Sequence, residues 1–126
     1  MAAGRFQLEF YEDRSGRQPV LEWLRHEVSV STRRVIGTAL SEILQEQGVG
    51  VRGTPFGRQL GGGLFEFRLR ERDLLVRAFC HPYGDKVILI LAAYDKSEDP
   101  SEKRQNAEIA LARRRLTDWR QRQKAS

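Results

Sequence analysis

Residues 64–94 read LFEFRLRERDLLVRAFCHPYGDKVILILAAY, and three strand signals lie within them. Leu64 to Arg70 alternates strictly. Phe65, Phe67 and Leu69 share one face, while Glu66, Arg68 and Arg70 share the other. Glu71-Arg72-Asp73 makes a turn, and a second run follows from Leu74 to His81. Pro82-Tyr83-Gly84-Asp85 supplies the next turn. Val87 to Tyr94 is nearly all apolar, as expected of a central strand covered on both faces. Tight turns between consecutive strands imply antiparallel pairing.

Working outward, Arg5 to Tyr11 also alternates, with Phe6, Leu8 and Phe10 on one face of a half-buried strand. Pro19 suits a first helical position, and Leu21, Leu24 and Val28, with Trp23 beside them, predict a short helix to about Glu27. Ser31 is placed to cap a second helix carrying Ile36, Ala39 or Leu40, and Ile43 through Gln47, with Gly48 as its stop. Residues 48–63 hold seven glycines and Pro55, which predicts a loop. Asp99, Pro100 and Glu102 fit N-cap, N1 and N3 of a last helix. Its stripe is Ile109, Ala112, Leu116 and Trp119, and it runs to about Arg122. The expected order is β-α-α-β-β-β-α, an α+β domain spanning residues 1–126 with a mostly antiparallel sheet.

A chain of 126 residues supports one hydrophobic core. No window approaches the roughly 18 apolar residues of a membrane span, and the first residues lack the apolar stretch of a signal peptide. Cys80 is the single cysteine, which excludes an internal disulfide framework and fits a reducing cytoplasm. His26 and His81 lie far apart, and no acids cluster at ligand spacing, so neither metal nor cofactor is expected. The charge balance is more informative. The chain carries a net +5, and 18 of its 22 basic residues are arginine. Arginine's planar fork of donors suits phosphate and its guanidinium stacks on bases, so the excess points toward nucleic acid or another polyanion. An arginine-rich solvated surface is the plain alternative.

The strongest constellation is cationic. Arg68 and Arg70 project from one strand face, Arg77 lies on the next strand, Arg58 precedes the first, and Tyr94, Asp95 and Lys96 end the third. Gathered over one sheet face, these groups can hold a phosphate and stabilise charge at phosphorus. The same spacing also describes the solvent side of an amphipathic strand, with Glu66 pairing Arg68. RNA cleavage without metal is open to such a site, because the RNA's own 2′-hydroxyl can attack the adjacent phosphate. Tyr94, Asp95, Lys96 and His81 are the groups able to move protons, although His81 beside Pro82 reads as a surface loop residue. Gly61-Gly62-Gly63 lacks the Lys-Ser/Thr and following helix of a phosphate loop. Cys80 and Trp119 read as packing, and the arginines of the last helix as RNA contact, partner surface or solvated face.

Gly63-Leu64-Phe65-Glu66-Phe67-Arg68 resembles the Gly-Leu-aromatic-Glu-Leu/Phe-Arg stretch of the phage-derived Gp49-like HigB toxins, within the RelE/ParE superfamily. The resemblance continues through Arg77, Tyr94-Asp95-Lys96, Asp99-Pro100-Ser101, Lys103-Arg104-Gln105 and Glu108-Ile109, with Phe10-Tyr11 and residues 16–20 resembling the family's opening. It implies a RelE-like fold, a small twisted sheet flanked by helices. It implies the toxin of a type II toxin–antitoxin module that cuts mRNA on the ribosome without metal. A helix-turn-helix antitoxin would neutralise it, and the complex would bind operator DNA; no membrane partner is implied. By position, Arg68, Arg77, Tyr94, Asp95 and Lys96 become the catalytic candidates. Arg58, where many members have Lys, joins Arg70, Lys86 and Arg104 as RNA contacts. The sequence departs from the family at Phe79-Cys80, where many members carry Tyr, and in the single Lys96 of a segment usually richer in lysine. Trp119 stands where some relatives have a C-terminal Tyr or His. A gyrase-binding toxin of the ParE branch and an inactive, prophage-derived binding module are the alternatives, because fold alone does not set function.

Overall fold

The structure, a computed structural model, describes residues 5–125. The first four residues, on which the reading of the N-terminus partly rests, lie outside that range. The described elements are β1 (Gln7–Phe10), α1 (Pro19–Glu22), α2 (Val30–Ala39), α3 (Gln45–Gln47), β2 (Gly57–Gly61), β3 (Leu64–Glu71), β4 (Leu74–Tyr83), β5 (Val87–Asp95) and α4 (Glu102–Ala125). Wide π-turns extend α1 over Trp23–Glu27 and α2 over Leu40–Leu44. The strands form one open mixed sheet in the order β1-β5-β4-β3-β2. β1 runs parallel to β5, and the other pairs are antiparallel. The α+β class and the flanking helices match the expectation, and the open sheet is consistent with a RelE-like fold. No helix among the described residues is long and apolar enough to cross a membrane.

Residues 48–63 are not the uniform loop their glycines suggest. Gly57–Gly61 is an edge strand, with Gly57, Arg58 and Gln59 opposite Phe67, Glu66 and Phe65. An edge strand is held by main-chain bonds to one neighbour, so it carries little apolar alternation to betray it. The capping residues also move. Ser29, not Ser31, caps α2, its Oγ accepting from the Thr32 amide at 3.1 Å. Ser101, not Asp99, caps α4, its Oγ accepting from the Arg104 amide at 3.1 Å. Asp99 instead accepts from the Ser101 amide at 3.1 Å, so Pro100 precedes the helix. β4 continues through Pro82 to Tyr83, and α1 buries Val20 and Leu24 while Leu21 is half-buried.

Period-two alternation sends Phe65, Phe67 and Leu69 to one side of the sheet with Val76, Ala78, Ile88 and Ile90. There they meet Val20, Leu24, Ile36, Ala39 and Leu44 of the first helices. On the other side Leu64, Phe79, Leu89 and Leu91 meet Ala112 and Leu116 of α4. β5 is therefore buried on both faces, as its sequence requires. Polar ties fix the far end of α4. The Asp118 carboxylate accepts from the Tyr11 hydroxyl at 2.7 Å and from Arg14 at 2.6 Å, and pairs with Arg122 at 2.7 Å.

Gly48 ends the second helical segment at φ +53° and ψ −129°, and a Cβ there would lie 2.3 Å from the Phe6 ring. Gly48→Ala is expected to lower stability by about 2–4 kcal/mol through backbone strain and overpacking, read by urea denaturation. The Tyr11 hydrogen bond, helped by Arg14 and Arg122, holds the Asp118 carboxyl below the ordinary carboxylate value despite some desolvation. A depressed folded value contributes stability above the unfolded pKa and loses it as pH falls through the folded one. The urea-midpoint advantage of the protein over Asp118→Asn should thus be constant above about pH 4 and shrink below it.

Candidate nucleic-acid interface

β3, β4 and β5 pair so that Arg68 lies opposite Arg77, and Arg77 opposite Tyr94. Directly paired residues share a face, so three of the sequence-predicted residues form one row across the sheet. α4 covers this face beside the row and at its Tyr94 end, and leaves the Arg68 and Arg77 end uncovered. The uncovered part holds a recess of about 230 Å³ lined by Pro55, Phe56, Arg68, Arg70 and Arg77. A larger recess of about 650 Å³ lies on the opposite face between α2 and the β3–β4 turn. Its lining mixes Arg34 and Arg72 with Glu42 and Glu71, so only the smaller recess presents a single sign of charge.

The row is built on a buried carboxylate. Glu66 is fully buried, and its Oε1 takes the Arg68 Nε at 2.6 Å and faces the Arg58 Nε at 3.6 Å. Its Oε2 has no hydrogen-bond partner among the described residues. Burying an ion is costly unless it is paired, so Glu66 holds Arg68 at the recess and draws Arg58 in beside it. Among the described residues the Arg77 guanidinium makes one long hydrogen bond, donating to its neighbour Val76's carbonyl at 3.5 Å. Desolvation, with Arg68 and Arg70 nearby, lowers its pKa against the pull of Glu66, yet a guanidinium remains charged. These cations repel one another, and an anion between them relieves that repulsion.

Tyr94 is the buried end of the row, its ring stacked against Phe79 at 6.3 Å and covered by the Arg104 guanidinium at 4.9 Å. Burial raises its phenol pKa, opposed by Arg77 and Arg104, so the hydroxyl stays protonated at neutral pH. That hydroxyl has no hydrogen-bond partner among the described residues. Asp95 is not in the row. Its Oδ1 accepts from the amides of Leu75 and Ser97 at 3.2 and 3.0 Å and from the Ser97 hydroxyl at 2.7 Å, shaping the loop after β5. Lys96 is anchored beside the start of β4 by its amide's bond to the Leu75 carbonyl at 2.8 Å. Arg104, ion-paired with Glu108 at 3.2 Å, joins the cluster from α4. Lys86 does not join it. It sits in the β4–β5 turn against the Phe6 ring, eight residues or roughly 26 Å along the strand direction from Tyr94.

His81 is not a surface loop residue but part of β4, half-buried at the other end of this face. Its Nδ1 lies 2.6 Å from the Gly63 carbonyl, so Nδ1 carries the proton in that bond, and its ring meets Trp119 edge-on. Desolvation lowers its pKa, with the Gly63 bond opposing and Arg120 assisting. Gly61, Gly62 and Gly63 all take positive φ and form the β2–β3 turn. Arginines of α4 engage carbonyls here: Arg113 donates to Leu60 and Gly61 at 3.0 and 3.1 Å, and Arg120 to Gly62 at 3.3 Å. Arg115 likewise donates to the Leu91 carbonyl at 2.8 Å. These helix arginines fasten α4 to the sheet. Cys80 is a fully buried core residue. Sequence reading missed Phe56 and the complete burial of Glu66. An isolated aromatic between Pro55 and Gly57, and a carboxylate between two core phenylalanines, were the available signals.

A family model described as phage-derived protein Gp49-like (DUF891) matches residues 22–117. No curated protein gives a match. The matched segment contains the whole arginine row, the buried glutamate and the recess.

Because Glu66 depends on Arg68, the two arginines of the row should differ sharply in structural cost. Arg68→Ala is expected to destabilise the fold by about 3 kcal/mol, the lower end for breaking a buried pair, since Arg58 still faces the carboxylate. Arg77→Ala should cost less than about 1 kcal/mol. Urea titration of the two variants measures both.

Proposed function

This chain belongs to the phage-derived Gp49-like family, which is associated with toxins of toxin–antitoxin systems, and from that premise we propose that it is a ribosome-dependent, metal-independent mRNA endoribonuclease. The observation that carries the reading is the cross-strand row of Arg68, Arg77 and Tyr94 beside an all-cationic recess. In-line attack by the RNA 2′-oxygen breaks the bond from phosphorus to the 5′-oxygen and leaves a 2′,3′-cyclic phosphate and a 5′-hydroxyl. Charge grows on the phosphoryl oxygens during that step, and Arg68 and Arg77 are the groups that stabilise it. Tyr94, kept as a neutral phenol, donates the proton that the departing 5′-oxygen needs. Its hydroxyl becomes reachable when the Arg104 side chain, 40% exposed, swings off the ring toward RNA. Asp95 lies outside the row with its carboxylate committed to the loop after β5, so the 2′-hydroxyl proton passes to water. Lys96, Arg58, Arg70 and Arg104 hold flanking phosphates, and Lys86 reaches only RNA lying along the far end of the sheet. The natural partners are the ribosome with its mRNA in the cytoplasm and a helix-turn-helix antitoxin, the toxin–antitoxin complex binding operator DNA.

Burial of the Tyr94 hydroxyl favours a second reading, in which the protein arrests growth by binding a partner such as gyrase and performs no chemistry. One experiment separates the two. The protein is expressed inducibly without a partner, and mRNA 5′ ends are mapped within minutes. New ends inside translated codons are expected, reduced at least about 100-fold by Arg77→Ala and by a similar factor in Tyr94→Phe. Growth arrest with intact mRNA would overturn the ribonuclease reading in favour of gyrase binding, and no arrest would favour an inactive binding module.

A further inference from the structure

We propose that Phe56 is a stacking platform for a single nucleobase flanking the phosphate held by Arg68 and Arg77; this rests on the ribonuclease reading above. Among the described residues Phe56 is one of two large hydrophobic side chains left exposed, at 37%. The other, Val30, lies in α2, while Phe56 lines the recess with Arg68, Arg70 and Arg77. A lone exposed apolar residue needs no explanation by itself, so the argument rests on where this one is fixed.

The Phe56 carbonyl accepts from the Arg68 amide at 2.7 Å, which extends the β2–β3 ladder one residue before β2 begins. Phe56 therefore stands at the outer end of the row that continues through Arg68 and Arg77 to Tyr94. With strands spaced about 4.8 Å apart, its ring is roughly 10 Å from the Arg77 position. Its backbone is held from both sides. The Phe56 amide donates to Thr54 Oγ1 at 3.1 Å, and that hydroxyl donates to the Val51 carbonyl at 2.9 Å. The Gly57 amide closes the turn on the Thr54 carbonyl at 3.2 Å. An aromatic ring presented on a pinned turn loses little conformational entropy when something stacks on it.

The chemistry of the lining selects the ligand. Three arginines and no acid suit phosphate, and Pro55 and Phe56 offer an apolar face beside it. A small inorganic anion has no use for that face. A nucleotide uses both, the base on the ring and the phosphate on the guanidinium groups. Stacking is tolerant of base identity, so Phe56 should strengthen binding more than it selects a sequence.

The test uses a fluorescently labelled oligoribonucleotide of four residues and the same oligomer with an abasic ribose at each position in turn, titrated against the full chain. One abasic position should weaken binding about tenfold. Phe56→Ala should bind intact and abasic oligomers alike, at the weakened level. Phe56→Trp should restore the difference, with its indole emission quenched by the intact oligomer. Arg77→Ala should weaken both oligomers. If Phe56→Ala keeps the preference for the intact oligomer, or if the Phe56→Trp emission does not respond, the inference is overturned while the ribonuclease reading stands. Wild-type binding to neither oligomer, with mRNA cleavage in cells intact, overturns the inference alone. Absence of both binding and cleavage brings down the reading on which it rests. Growth arrest lost in Phe56→Ala with unchanged RNA affinity would assign the ring to a protein contact and also overturn it.

Discussion

The burial of Phe65, Phe67 and Leu69 against the first helices determines where every functional group on β3 must point. A strand has a side-chain period of two, so Glu66, Arg68 and Arg70 are sent to the opposite face. Antiparallel pairing then carries that choice across the sheet, setting Arg77 opposite Arg68 and Tyr94 opposite Arg77. A slip of one residue in β3 would turn Arg68 and Arg70 into the core and send Phe65 and Phe67 to the other face. The core and the candidate site are thus two faces of one register, and neither can change without the other.

The arginine excess serves two purposes that composition cannot separate. Arg113, Arg115, Arg120 and Arg122 donate to main-chain carbonyls of Leu60, Gly61, Leu91, Gly62 and Glu12, fastening α4 to the sheet and to the loop after β1. Five donors on a planar fork let one side chain reach carbonyls that a helix face could not otherwise satisfy. Arg68, Arg70 and Arg77 face a recess instead, and among the described residues only Arg68 of the three is ion-paired. What distinguishes the two sets is whether protein oxygens already occupy the guanidinium, and that is a matter of tertiary contact.

Much of the fold is legible in the chain. Strong alternation predicts β1 and β3, a run bounded by two turns predicts β4, continuous apolarity predicts β5, and three- and four-residue spacing predicts α2 and α4. The edge strand β2 was hidden because its evidence lies in its partner: Arg58 pairs with Glu66 although Gly57-Arg58-Gln59-Leu60-Gly61 shows no pattern of its own. Each cap lies two residues from the position its sequence suggests, because neighbouring hydroxyl and carboxylate groups, Ser29 and Ser31 or Asp99 and Ser101, all satisfy the local rule. Pro82 suggests a loop at His81, yet β4 continues through that proline because the β4–β5 pairing persists to Tyr83.

By itself the sequence determined the class of the fold, the alternation of β3 and the set of cationic and phenolic groups available for chemistry, since all three depend on residue type and local spacing. Tertiary structure decided which of those groups meet. It placed Arg77 and Tyr94 beside Arg68, left Lys86 in a distant turn, committed Asp95's carboxylate to a loop and brought Phe56 to the rim of the recess. It also buried Glu66 beneath two arginines. The reason is that pairing between strands is non-local. Local pattern tells a strand which side chains face the same way, but the identity of the neighbour across the ladder follows only from how the whole chain packs.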